Sequence, residues 1–180
     1  NSRKKEREES WKRNLENGLW VWWNEDGKKN QEGNYRSGQQ HGTWINYNEK
    51  GRKIEESQWK NGELFGKTTL WDKNGNKTIL KSFKEDEKDG LWIWWSPNGK
   101  KVKEGNFKLG DKNGKWTYYH ANGKKKRLEN YKLGKKNGKL IVWFENGQKE
   151  REESYKNDEK HGKWTYWFEN GRLDKEEKYT

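Results

Sequence analysis

Five glutamates share one repeating position: Glu32, Glu56, Glu104, Glu152 and Glu176. Two carboxylates held at ~5–9 Å can divide a hydrolysis into general-acid and general-base steps. Such a pair must be asymmetric, one member protonated and the other not. These five are copies of one another, spaced by 24 or 48 residues. Each is expected to pair with a nearby Lys or to accept a hydrogen bond from a Trp. His41 and His161 lie five repeats apart, too far to share a metal, and His120 stands alone. With no Cys there is no thiolate, hence no disulfide and no sulfur-ligated metal. No phosphate loop, nucleophile elbow or zinc spacing is present. The reading is a non-enzymatic chain with no catalytic residue, cofactor or metal.

The other chemistry on offer is positive charge. There are 41 basic against 29 acidic residues, a net +12, and +10 of it falls in residues 90–137. Lys100, Lys101, Lys103, Lys124, Lys125, Lys126, Arg127, Lys132, Lys135 and Lys136, with Trp95 and Tyr119, form the candidate partner-binding surface. A basic, aromatic surface suits an acidic protein first and anionic lipid second. Trp and Lys interleaved also suit single-stranded nucleic acid. That partner is disfavoured, because rings placed in every repeat are already explained as the fold's own ladder.

The element that must position these residues is a repeat. Gly18, Gly42, Gly66, Gly90, Gly114, Gly138 and Gly162 recur every 24 residues. A second glycine follows nine residues after each, from Gly27 to Gly171, and an aromatic follows after seventeen, from Tyr35 to Tyr179. The repeats are 18–41, 42–65, 66–89, 90–113, 114–137, 138–161 and 162–180, preceded by a one-strand partial repeat over 1–17. Composition alone reads as disordered: 39% charged, 26% hydrophobic, mean hydropathy -1.74. The periodic placement of 14 Trp, 8 Tyr and 5 Phe overrules that, since each ring buries ~150–250 Å². The chain begins in mid-repeat and contains no Met, which reads as a processed chain or a piece of a longer one.

Each repeat reads as a β-hairpin. An apolar run ends at Asn-Gly (Asn74-Gly75, Asn98-Gly99, Asn122-Gly123, Asn146-Gly147, Asn170-Gly171) and a charged run follows. Asn-Gly between two such runs predicts a two-residue type I′ turn. That turn sets Trp92 opposite Gly105 and Gly90 opposite Phe107, on one face with Trp94. The other face carries Ile93, Trp95 and Glu104. The fold class is therefore all-β: an extended, single-layer antiparallel meander of tandem hairpins, aromatic on both faces. Charge-rich ends, Arg3-Lys4-Lys5-Glu6-Arg7 and Asp174-Lys175-Glu176-Glu177-Lys178, oppose edge-to-edge pairing. An uncovered aromatic face makes a homodimer plausible.

The runs Tyr131-Lys-Leu-Gly-Lys-Lys-Asn-Gly138 and Glu159-Lys-His-Gly-Lys-Trp-Thr-Tyr-Trp-Phe-Glu-Asn-Gly171 resemble MORN-type repeats. They are similar in particular to the variant that characterises the YwqK family of bacterial antitoxins, over residues 11–180. Repeat 66–89 departs from it, with Thr68 for Trp and Asp86 for the loop Gly; repeat 138–161 has Leu140 and Asp158 there. The resemblance implies a twisted sheet of hairpins that serves as an interaction module, a membrane-proximal scaffold or a toxin-neutralising protein. It implies no catalytic residue. An antitoxin or immunity-type protein in the bacterial cytoplasm is the first expectation. An envelope module on anionic lipid, or a structural or glycan-binding repeat, is the alternative.

Overall fold

The structure, a computed structural model, describes residues 6–180; Arg3, Lys4 and Lys5 lie outside the described residues. No helix occurs among the described residues. The chain divides into two compact units, residues 1–87 and 88–180. In the second unit, Gly90–Trp95, Lys101–Lys108, Asp111–Tyr119, Lys125–Lys132, Gly138–Trp143, Lys149–Lys156, Gly162–Trp167 and Leu173–Tyr179 pair antiparallel in chain order. The first unit repeats the pattern with Arg7–Glu8, Gly18–Trp23, Lys29–Arg36, Gln39–Tyr47, Lys53–Lys60, Gly66–Trp71 and Lys77–Lys84. Each is a meander of hairpins, as the repeat requires.

The turn chemistry differs from the expectation at Asn-Gly. Asn98 does not enter the left-handed region; Gly99 does, at φ 78°. Gly99 N–H donates to the Ser96 carbonyl at 2.8 Å, and Ser96 N–H to Lys100 at 2.9 Å. This is a three-residue loop closed by a glycine, not a type I′ turn. The reason is local. Asn98 Oδ1 accepts the Lys100 N–H at 3.2 Å, and Asn122, Asn146 and Asn170 do the same two residues on. That Asx turn holds Asn at negative φ and leaves positive φ to Gly.

An odd-length loop shifts the register by one residue, and a bulge restores it. Trp95 faces Lys101, whereas Trp94 faces Lys103, so Val102 is unpaired. The expected pairs Trp92–Gly105 and Gly90–Phe107 therefore form. The type I′ geometry lies at the other end of the hairpins, between repeats. There both turn residues have positive φ: Leu109 51° with Gly110 81°, and Asn157 51° with Asp158 72°. Asn14, Asp86 and Asp158 depart from glycine at this turn, and the two aspartates are compensated. Asp86 Oδ1 accepts the Leu64 N–H and Asp158 Oδ1 the Lys136 N–H, each at 2.7 Å.

One face is packed although no second layer covers it. Trp116 is 1% exposed. Its ring lies on the backbone of Gly105, where a Cβ would approach a ring carbon to 2.2 Å; Gly33 stands in the same relation to Trp44. Phe107 meets Trp116 edge-on at 5.0 Å, and Lys112 Nζ sits 4.5 Å over it. The Trp116 indole N–H donates to the Asn106 carbonyl at 3.0 Å, and Trp20, Trp44 and Trp164 repeat that bond to Ser10, Asn34 and Ser154. The lid is made of rings and lysine stems, which bury apolar length while keeping the ammonium wet. This is the covered face.

Candidate functional site

The opposite face carries the rings that end each first strand. In the second unit these are Trp95, Tyr119, Trp143 and Trp167, all half-buried. Strand pairing sets Lys101, Lys125 and Lys149 directly opposite the first three. Three residues beyond Lys101 and Lys149, Glu104 and Glu152 close ion pairs of 2.7 and 2.6 Å with them. Glu32 and Glu56 do the same with Lys29 and Lys53, both at 2.5 Å, and Glu176 pairs with Lys163 at 2.5 Å. The five repeated glutamates are thus tied to lysines, as expected. The second partner is a phenol rather than an indole: Tyr119 donates to Glu104 and Tyr47 to Glu32.

These contacts fix the charge states. Burial works to raise the Glu104 pKa, but hydrogen bonds from Lys101 and Tyr119, with the charges of Lys101 and Lys125, outweigh it and hold the carboxyl below its usual range. Burial, then the Glu104 hydrogen bond and charge, pushes the Tyr119 phenol up to about 12. An ionised carboxylate held by an ammonium and a neutral phenol is a structural clamp, with no free base in it.

In the second unit one repeat breaks the module, as repeat 66–89 does in the first, where Leu80 stands at the glutamate position. At the glutamate position of Lys125–Lys132 stands Leu128, which faces Thr117 on one side and Ile141 on the other. Lys125 has lost its in-strand carboxylate. Its charge acts on Glu104 of the preceding repeat, which already holds Lys101 and Tyr119. Lys126 is the exposed bulge residue beside it. Tyr119, Leu128, Ile141 and Trp143 therefore make an apolar floor bordered by uncompensated cations.

The other expected residues scatter. Lys103 lies 4.2 Å over Trp94 and Arg127 4.2 Å over Tyr118, both on the covered face. Lys136 also points there, 5.0 Å over Tyr155. Lys100 and Lys124 donate to the Ala121 and Asn146 carbonyls of the next turn, at 3.0 and 2.8 Å. Lys132 and Lys135 pair with each other at the type I′ end, a strand length from Lys125. Trp95, Tyr119, Lys101, Lys125 and Lys126 are the members brought together.

Sequence reasoning passed over two sets of residues. Leu128 was visible as the missing glutamate between Glu104 and Glu152. The second set is Glu129 and Glu153, 4% and 6% exposed on the covered face. Tyr131 and Tyr155 donate to them at 3.0 and 2.8 Å, and Arg151 Nε lies 2.8 Å from Glu153. Their signal is a match two residues on. Tyr131, Tyr155 and Tyr179 follow Glu and Trp59 donates to Ser57 at 2.8 Å, whereas Phe107 and Tyr35 follow Gly.

Comparison with known proteins agrees with this architecture. No curated protein matches the chain. Among solved structures, a crystal structure of a GtfA/B complex bound to UDP and GlcNAc is similar over 59% of this chain and 21% of that one, at 12% identity and TM-score 0.27. So low a score carries no argument about fold or function. The MORN repeat variant family matches residues 16–37, 88–109, 112–133, 136–157 and 160–180, more than half of the sequence. With a 24-residue glycine period, ring-on-glycine packing and tandem hairpins in both units, the chain belongs to the MORN repeat variant family.

Proposed function

We propose that this chain is a non-enzymatic protein-binding repeat, of antitoxin or immunity type, that docks an acidic partner on the open face of residues 88–180. The observation that carries the reading is Leu128 in place of the repeated glutamate together with Lys126 at the bulge; repeat 66–89 also loses the glutamate, to Leu80, but has Thr78 at its bulge. Leu128 leaves Lys125 and Lys126 uncompensated beside Tyr119, Ile141 and Trp143. Large rings in a desolvated centre with a charged rim are the anatomy of an interface hot spot. The lysines that hold Glu104 and Glu152, and the phenol that also holds Glu104, support a binding role over a catalytic one.

The test is affinity capture from the source lysate with the intact chain, beside Leu128→Glu, which restores the repeat's own glutamate and should fold. One acidic protein held near one-to-one by the wild type, released by salt and lost with Leu128→Glu, supports the reading. A partner retained equally by both, or binding to anionic vesicles with no protein partner, contradicts it.

A further inference from the structure

In a repeat protein a feature present in every repeat is explained by the fold. A coincidence that occurs once needs another explanation. The first unit contains one. A cavity of about 560 Å³ opens beside Tyr47 on the open face, lined by Asn24, Asn30 and Asn48 and rimmed by Glu49, Lys50 and Lys73. At the position of Asn24 the later repeats carry Asn48, Asp72, Ser96, His120, Phe144 and Phe168. At that of Asn30 they carry Ile54, Thr78, Val102, Lys126, Glu150 and Asp174. Both amides fall together at this cavity alone.

The three asparagines differ in what they do. Asn48 is spent on the turn, its Oδ1 accepting the Lys50 and Arg52 N–H groups at 3.0 Å each. The Asn24 and Asn30 side-chain amides make no hydrogen bond among the described residues. Asn30 is the bulge residue, unpaired in the ladder, which turns it out of the regular alternation. Two free amides supply both donors and acceptors toward one cavity. Tyr47 supplies a flat ring whose phenol is anchored by Glu32 and pushed up to about 12 by burial and that carboxylate, so it stays neutral and fixed. The rim carries one carboxylate and two ammonium groups, further partners for hydroxyls.

We infer that this cavity is a carbohydrate site, in which a pyranose ring stacks on Tyr47 and its vicinal hydroxyls bridge the Asn24 and Asn30 amides. A sugar is the ligand class with one apolar face and a periphery of groups that both donate and accept. The size lies within the range of small-ligand sites. An oxyanion would need more positive charge than the rim provides, and a nucleobase would leave the amide periphery half-used. The site lies within the first unit and stands or falls independently of the docking proposed for residues 88–180.

The test is a nuclear magnetic resonance titration of the full chain with cellohexaose, chitohexaose, mannohexaose and xylohexaose. The side-chain amides of Asn24 and Asn30 and the ring of Tyr47 are the reporters. The expected result is saturable shifts at these groups with at least one sugar, weakened tenfold or more in the Asn24→Ser, Asn30→Val double variant. Both replacements copy or closely follow residues that other repeats tolerate at those positions, so the variant should keep the wild-type melting temperature. Lys126→Glu should leave the titration unchanged. No saturable shift with any of the sugars, or shifts that persist in the double variant, would overturn the proposal.

Discussion

Residues 1–87 and 88–180 share a backbone and differ in how they finish it. The position that arches over the covered-face rings is Glu16, Gln40 and Leu64 in the first unit and Lys88, Lys112, Lys136 and Lys160 in the second. Lys112 and Lys160 sit 4.5 and 4.6 Å over Trp116 and Trp164, contacts worth roughly 0.5–2 kcal/mol each. The same face carries Gly105, Glu129, Glu153 and Glu177 in the second unit, where the first places Gly33, Ser57 and Lys81. Net charge follows, +3 for the first unit and +9 for the second. Backbone periodicity is therefore separable from surface chemistry. Glycines and rings keep the hairpins in register, and the remaining positions are free to specialise.

The largest expected effect breaks what the two units have in common. Trp116 and Thr68 occupy the same repeat position, 1% and 3% exposed. Trp116→Ala should cost about 4 kcal/mol in denaturant unfolding, as large-to-small core changes do. Thr68→Val should go the other way. The Thr68 hydroxyl is buried with no hydrogen-bond partner, and removing it should stabilise by about 1 kcal/mol. If both variants lose stability equally, the position is not filled independently in the two units.

Next in size is the glycine beneath the indole. Gly105→Ala and Gly33→Ala each place a Cβ at 2.2 Å from a ring carbon of Trp116 or Trp44. The ring must lift from the backbone, at about 3 kcal/mol. Equal losses in the two units would show that this packing is the shared element. A loss below about 1 kcal/mol at either glycine would show that the ring has room to move.

The smallest effect separates the open-face clamps by pH. Glu104 and Glu32 have folded pKa values below their ordinary 4.5. Such a carboxylate binds fewer protons folded than unfolded, so its contribution is complete above that value and is lost as the pH falls through the lower folded one. Tyr119 and Tyr47 are raised from 10.0 to about 12, so their contribution is complete below 10 and is lost as the pH rises through about 12. Melting temperature against pH should fall at both ends. Tyr119→Phe should flatten the alkaline arm and Glu104→Gln the acid arm. An alkaline arm unchanged in Tyr119→Phe would remove the clamp from the account.

The hairpins, their register and the two aromatic faces were legible because glycine and ring recur with a fixed period. The turn type was not. Asn-Gly suits a type I′ turn by propensity, but the Asn carboxamide captured a nearby amide and shifted the loop by one residue, and the bulge at Val102 cancelled the error in pairing. The binding surface was half legible. Lys124, Lys125, Lys126 and Arg127 are adjacent in sequence, yet strand alternation sends Arg127 to the covered face and the next turn engages Lys124. Leu128 beside Lys126 carries the information instead; the row of glutamates has another gap at Leu80, but there the bulge residue is Thr78. The Asn24 and Asn30 cavity was hidden because both residues look like ordinary turn polars until the bulge brings them together.

The most direct measurement is lysine-reactive footprinting of the intact chain with and without its captured partner. Docking on the open face predicts that Lys125, Lys126 and Lys149 lose reactivity, while Lys132 and Lys156 at the far edge and Lys28 and Lys50 in the first unit keep it. Protection of Lys132 and Lys156 with Lys125 left reactive, or protection confined to residues 6–87, would contradict the account.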